Sequence, residues 1–441
     1  MRPTLFLALL LALGGAACSG GDTNPGAGGS TSSSSSSSGS GGSGGSGGAA
    51  STTSTGAGGT GGASTTSTSS GPEKLEDVLS ALRSDRDGTL GDRANKGGWP
   101  LETDQGWLFV STDLKLTQLA GEHGQWTPEP MTPDQGFAWI VEATLPVSDH
   151  YKFTDGQTYA ADRWSRSVDY DQFGEISVAR AAGKRLDRWF GVGDENLEGR
   201  TVRVWIPAEP ITHELYVHDG QNLFDPEAIW GGWHLTDSAP PGMMFIGIDN
   251  TPARMDEYTH VPDVIGGSSM VGGKGAAYAD FLQNTVRPLI QQHYGEPGPV
   301  GVMGSSLGGL ISFEIAYRYP NDYAFAASLS GTMGWGSIGA SIHNETMIEK
   351  YGAKGHQKPI LYLDSGGSGT TCADSDGDGV DDDDAAAEDN YCENKQMDEI
   401  LVGEGYKHDV DLFYWHEPGA AHNEAEWAAR VFRPLAVFQA L

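Results

Sequence analysis

Three changes of pattern divide the chain. Met1-Arg2 is followed by an apolar run from Leu5 to Leu13, then by the small residues Gly14 to Ala17 and Cys18. Residues 19–72 are almost wholly Gly, Ser, Thr and Ala, with too little apolar surface to bury a core. Apolar periodicity begins only beyond them. Leu75, Val78, Leu79 and Leu82 have helical spacing within residues 73–86. From Gly106 to about Ile176, strand-like runs at 106–110, 137–141 and 150–153 alternate with Gly/Pro/Asp-rich breaks. This pattern predicts a small all-β sandwich over residues 73–185. From about Arg200 the pattern changes again. Residues 201–207 alternate like an edge strand, whereas 214–218, 243–248, 300–303, 324–330, 359–363 and 411–415 suit inner strands. Helices are expected over 278–294, 310–319, 395–402 and 424–441. Strands alternating with helices imply a mainly parallel sheet covered on both faces, so residues 186–441 are expected to form an α/β domain.

The strand-to-helix transition at Pro299 to Leu310 carries the most specific chemistry. Gly304, Ser306 and Gly308 spell G-x-S-x-G between an apolar strand and a helical run. In that context a serine stands on a strained corner with its hydroxyl above the sheet edge, in the α/β-hydrolase manner. Ser305 would need glycines where Met303 and Leu307 stand, so Ser306 is the candidate nucleophile. An ordinary strand-to-helix turn is the plainer alternative. A serine hydroxyl needs a base, and in this fold the order along the chain is Ser, acid, His. His422 lies on the loop between the last strand and the last helix. His416, at a strand end, and His408 compete with it.

From Arg200 onward the chain resembles the esterase D, feruloyl esterase and enterochelin esterase family. The matching pieces are Tyr216 to Asn222, Gly247 to Asn250 with Arg254 and Glu257-Tyr258, Gly304 to Gly309, and Gly419 to Asn423. The resemblance implies an α/β-hydrolase fold and a serine esterase. Its oxyanion hole is expected from the N–H of Leu307, after the nucleophile, and that of Gln221, where Gly220 lets the backbone turn in closely. Asp364 directly follows the strand ending at Leu363, but relatives place the acid a few residues later. An acidic insertion moves that position to Asp389, the first choice, with Asp364 the alternative; some relatives manage with a Ser-His pair. The N-terminal segment resembles immunoglobulin-like modules related to glycogen-binding domains, through Leu119 to Gly121, Gln125-Trp126, Tyr151 to Gly156 and Ala161 to Arg163. Trp126, Trp139 and Trp164 are the nearest candidates for stacking on sugars, although core burial is the commoner role of such rings.

The ends and the charge complete the picture. The start of the chain has the layout of an export signal, and Cys18 resembles a bacterial lipoprotein processing site, retained as a lipidated N-terminus with signal residues ahead of it and the tether behind. Cys372 and Cys392 then remain as a pair in an oxidising compartment, where a disulfide is the default. The net charge of −32 argues against nucleic acid and anionic membranes, although much of the acidity sits between Asp374 and Asp389. Within this insertion, residues 372–392, the carboxylates of Asp374, Asp376, Asp378 and Asp382 with the Val380 carbonyl have the spacing of a calcium loop. The closing Glu of an EF-hand is missing, and the stretch looks more like thrombospondin type 3 loops; a solvated acidic loop is the alternative. Together these features predict an exported serine esterase, anchored at the cell envelope by lipid or else secreted. Feruloyl or acetyl esters of polysaccharides and siderophore esters are the candidate substrates. No cofactor is expected in catalysis and calcium would be structural. The competing expectation is a surface carbohydrate-binding lipoprotein with a non-catalytic hydrolase-like scaffold.

Overall fold

The computed structural model describes residues 71–265, 269–339, 342–369, 371–383 and 389–441. Residues 1–70, with Cys18 and most of the stretch expected to be export segment and tether, lie outside the described residues. The apolar runs of the C-terminal region become the centre of one large sheet. Its parallel part is ordered Leu412–His416, Ile360–Ser365, Phe325–Leu329, Val300–Ser305, His213–His218 and Met243–Ile248. Alternate side chains enter two cores, because a strand sends successive residues to opposite faces. Tyr216, Ile246 and Val302 pack with Leu310 and Phe313 on one face. Leu215, Val217, Phe245 and Met303 pack with Leu435 and Phe438 on the other.

Residues 201–207 were expected at an edge, and the structure corrects this. Arg200–Ile206 is paired on both sides, with Met243–Ile248 and with Arg185–Val192. Its alternation reflects an ion pair rather than solvent: Arg203 Nε lies 2.8 Å from Asp249 Oδ1. The strand Arg185–Val192 also pairs with Ser167–Asp171, through Leu186 opposite Val168. The sheet therefore runs through the expected boundary at residues 185/186, and Pro72 to Leu441 form one compact unit.

The N-terminal region adds a second sheet of Leu101–Thr103, Gly106–Ser111, Ala138–Glu142 and Thr132–Pro133. Phe109 and Ala138 from this layer share a core with Leu119, Tyr151, Phe153 and Ala179 from the large sheet. The opposite face is covered by Leu75–Ser84, whose Leu75, Val78, Leu79 and Leu82 are all buried. A second helix, Arg86–Lys96, was not foreseen; Asp85 caps it by accepting from Gly88 N–H. Trp139 and Trp164 are half-buried against this cluster, whereas Trp126 is exposed.

Two expected long helices are interrupted. The run 278–294 contains a π turn, Leu282–Val286, immediately before the helix Arg287–Tyr294. Pro288 follows that turn, and its ring and missing N–H disturb the regular ladder. Residues 424–441 split into Glu424–Arg430 and Phe432–Gln439, with Pro434 in the first turn of the second. Among the described residues no helix is long and apolar enough to cross a membrane.

The strand Arg185–Val192 joins the two ends of the fold. The Asn95 carboxamide donates to Phe190 O at 2.7 Å and accepts from Phe190 N at 2.9 Å. Trp189 Nε1 donates to Tyr294 Oη at 3.0 Å, and the Tyr294 hydroxyl donates to Asp187 at 3.0 Å. Residues 72–441 should accordingly unfold in one cooperative step. Scanning calorimetry should show a single transition with equal calorimetric and van't Hoff enthalpies; two separated transitions would contradict this continuity.

Candidate active site

The glycines around Ser306 answer a steric demand. A Cβ on Gly304 would stand 2.6 Å from Gly308 O, and one on Gly309 would stand 2.2 Å from Ser328 Oγ. Between them Ser306 adopts φ 55° and ψ −125°, a conformation that L-residues avoid and that marks functional corners. The corner is held by Ser306 N–H donating to Leu329 O at 2.9 Å. Ser306 is buried, and its Oγ has no hydrogen-bond partner among the described residues.

His422 lies on a loop pinned to the exit of the strand Ile360–Ser365. Gly367 N–H donates to Ala420 O at 2.9 Å and Gly419 N–H to Gly367 O at 2.8 Å. His422 Nδ1 lies 2.6 Å from Asp389 Oδ1, so the ring donates there and leaves Nε2 for another partner. Asp389 Oδ2 accepts from Ser330 Oγ at 2.6 Å, from Gly366 N–H and from Arg430 Nη2 at 3.3 Å. Asp364 stands apart from the histidine. It is buried, accepts from Arg430 Nε at 3.0 Å and takes the Tyr362 hydroxyl at 3.0 Å. Burial pushes its carboxyl up to about 6 despite the Arg430 charge. Of the two candidate acids, Asp389 is the one brought to His422. His416 places Nε2 3.3 Å from Gly367 O, and His408 pairs with Asp398 at 2.8 Å.

Asp389 enters this position from the acidic insertion. Cys372 and Cys392 form a disulfide across it. Asp383 accepts from the N–H groups of Tyr391 and Cys392 at 3.1 and 2.7 Å. An anion at that point caps the helix Tyr391–Gly403, where unpaired N–H groups favour negative charge. Asn390, at φ 56°, donates to Ser330 O at 2.9 Å, and Asn394 donates to Gly331 O at 2.7 Å. Asp374, Asp376 and Asp382 converge, with carboxylate oxygens within 4.8 Å of one another. Asp378 is outside that group and accepts from Val380 N–H at 2.8 Å, while the Val380 side chain packs against the main core. Like charges nearby and, first, burial raise the Asp376 carboxyl above its usual range.

Leu307 and Gln221 are the residues whose N–H groups were expected as oxyanion donors. Leu307 opens the helix Leu307–Arg318, and its N–H is among the first four, which have no partner within the helix. Gln221 is in the turn Gly220–Asn222, and its Oε1 accepts from Asn250 N–H at 3.1 Å. Gly220 is needed for space: a Cβ there would lie 2.6 Å from the Gly247 carbonyl carbon. The left-handed residue is instead Asp219, at φ 59°. Its carboxylate meets Arg254 twice, at 2.8 and 2.9 Å, and accepts from Asn250 Nδ2 at 2.6 Å. Burial opposes this charge, but the Arg254 guanidinium outweighs it and holds Asp219 below the usual carboxylate range. Asp219, Arg254, Ser330, Asn390 and Arg430 had no role assigned from sequence. Asp219 and Arg254 lay within recognised motif pieces, but Ser330 and Arg430 carry no local signal.

Comparison with known proteins places these features in a family. The family described as "Putative esterase" matches residues 198–438, more than half of the chain. The Bacillus subtilis (strain 168) protein described as "Uncharacterized protein YbbA" is 31% identical over 134 residues, covering 29% of this chain. That match spans about half (53%) of the relative's length. Solved structures of similar shape include the enterobactin esterase FES from Shigella flexneri, at 13% identity and TM-score 0.41, covering 76% of this chain and 93% of that one. An IroE-like serine hydrolase from Shewanella oneidensis is similar at 18% identity and TM-score 0.44, over 58% of this chain and 80% of that one. The siderophore hydrolase EstB from Aspergillus nidulans is similar at 15% identity and TM-score 0.38, over 57% and 93% respectively.

Arg430 is the counter-charge to both buried aspartates. Arg430→Met removes it and leaves two buried carboxylates without a cation. It should lower unfolding free energy by about 3–5 kcal/mol in urea titration at neutral pH. A loss under about 1 kcal/mol would mean that Arg430 does not carry this load.

Proposed function

The chain belongs to the Putative esterase family, and on that premise we propose that it is a carboxylic ester hydrolase working through Ser306, His422 and Asp389. The observation that carries this reading is the 2.6 Å contact from His422 Nδ1 to Asp389, in a fold that holds Ser306 on a strained corner. In the proposed reaction Ser306 Oγ attacks the ester carbonyl and His422 Nε2 takes its proton. Asp389 fixes the ring through Nδ1–H and stabilises the imidazolium. The N–H groups of Leu307 and Gln221 receive the oxyanion. His422 then protonates the leaving alcohol, water attacks the acyl-enzyme with His422 as base, and the acid departs.

Substrate and location extend the same proposal. The protein is exported, lipid-anchored through Cys18 at the cell envelope or else secreted, and acts on feruloyl or acetyl polysaccharide esters or on siderophore esters. Its contact with a membrane would be through that lipid alone, and nucleic acid is not among its partners. The N-terminal layers would be an immunoglobulin-like module related to glycogen-binding domains, with the exposed Trp126 as its sugar-facing ring. Calcium suits the insertion: Asp374, Asp376 and Asp382 already converge, and Asp378 and the Val380 carbonyl are close in sequence. The ion would neutralise these carboxylates and hold the loop that precedes Asp389.

Three kinds of experiment test the proposal. A fluorophosphonate probe should label Ser306 and fail on Ser306→Ala. Asp389→Asn should lower kcat by about 10⁴, while Asp364→Asn should act mainly on stability; the reverse ranking would make Asp364 the acid. Reduction of Cys372–Cys392 and calcium chelation should each lower kcat and melting temperature. Insensitivity of kcat to both treatments would break the link between insertion and catalysis.

A further inference from the structure

A cavity of about 220 Å³ opens beside Ser305, between the loop after His213–His218 and the helix that follows His422. This is smaller than the roughly 300–1,000 Å³ of pockets that enclose whole drug-sized ligands, so it suits one ring of a larger substrate. Glu424, two residues beyond His422, lines it. Only 2% of Glu424 is exposed. One carboxyl oxygen, Oε1, accepts from Asn222 Nδ2 at 3.2 Å. The other, Oε2, is buried and has no partner among the described residues. A buried polar atom left unpaired costs stability, and nothing in the proposed ester chemistry employs this one.

The surroundings narrow what could fill the gap. Trp233 and Trp427, otherwise buried in the core, contribute to its apolar wall, and Asn222 and Asn250 supply carboxamides. Asp219 and Arg254 line the same cavity with opposite charges, so neither sign of ligand charge is favoured there. The Arg254 guanidinium is itself engaged by Asp219. Burial, reinforced by Asp219 and opposed by Arg254, pushes the Glu424 carboxyl up to about 7. A carboxyl in that range can accept or donate, which matches a neutral hydroxyl. An apolar wall beside an unpaired carboxyl oxygen is the chemistry for a hydroxylated ring: the ring packs against the wall and its hydroxyl donates to Oε2.

We propose that Glu424 is a specificity-determining residue that selects esters bearing a ring hydroxyl. The proposal rests on the Ser306 esterase reading, and its test separates the two. Two matched pairs serve as probes: 4-nitrophenyl 3-(4-hydroxyphenyl)propanoate against 4-nitrophenyl 3-phenylpropanoate, and the monoacetate of 1,2-cyclohexanediol against cyclohexyl acetate. In at least one pair kcat/KM should favour the hydroxylated ester by about tenfold or more. Glu424→Leu should bring that ratio close to unity, and Glu424→Gln, which keeps an acceptor oxygen, should retain most of it. Fluorophosphonate labelling of Ser306 in each variant reports whether the reactive serine is still assembled. Equal kcat/KM within both pairs, or a preference that survives in a labelled Glu424→Leu variant, overturns the proposal. If wild-type protein neither labels nor turns over any probe, the esterase reading falls instead. Saturation-transfer NMR of 3-(4-hydroxyphenyl)propanoate and 1,2-cyclohexanediol, each with its unhydroxylated counterpart, on Ser306→Ala then decides the subsite. A hydroxyl-dependent signal lost on adding Glu424→Leu upholds it, and its absence for both pairs refutes it.

Discussion

The carboxylate of Asp389 is the point on which the site depends. One of its oxygens holds His422, and the other is held by the Ser330 hydroxyl, Gly366 N–H and Arg430. Four separate segments must meet for this to happen: two strand exits, the start of the helix Tyr391–Gly403 and the helix Glu424–Arg430. A buried carboxylate is tolerable only when paired and hydrogen-bonded, so the same contacts that orient His422 also make the burial possible. Arg430 serves a second aspartate at the same time, since its Nε meets Asp364. Trp427 closes the arrangement: its ring lies edge-on to His422 at 5.0 Å and its Nε1 donates to Ser330 Oγ.

The acidic insertion is part of this arrangement. The disulfide ends at Cys392, three residues past Asp389, and Asp383 caps the helix that begins at Tyr391. Several backbones around the site are also unusual. Asp219, Ser306, Ser330 and Asn390 all have positive φ without being glycine. Such residues persist when their surroundings over-determine them. Here Asp219 is held by Arg254 and Asn250, Ser330 by Arg430 and Trp427, and Asn390 by its bond to Ser330 O. Polar contacts across distant segments are what hold these backbones in place.

Much of the architecture was legible because burial on both faces writes itself as continuous apolar runs. Met243–Ile248 and Phe325–Leu329 are buried throughout, and both were readable as inner strands. The reading failed where polar residues are satisfied inside the protein. Arg200–Ile206 alternates like an edge strand, yet Arg203 meets Asp249 and the strand is paired on both sides. Asp364 looked like a candidate acid from its place after a strand, and its Arg430 partner lies 66 residues away. The second N-terminal helix escaped notice because Arg86–Lys96 is mostly polar, with Thr89, Leu90 and Ala94 as its buried residues.

The sequence by itself determined the corner at Ser306, because that geometry is local. The spacing of Gly304 and Gly308 settles which backbones can cross, through contacts within five residues. It likewise marked His422, whose place follows from the last strand and last helix. Only the tertiary structure decided which carboxylate faces that histidine. The partners of Asp389 lie 23, 33, 41 and 59 positions away in the chain. No local pattern encodes them. A hydrogen bond needs atoms within about 3 Å in the right direction, and for residues so far apart only the folded chain supplies that proximity.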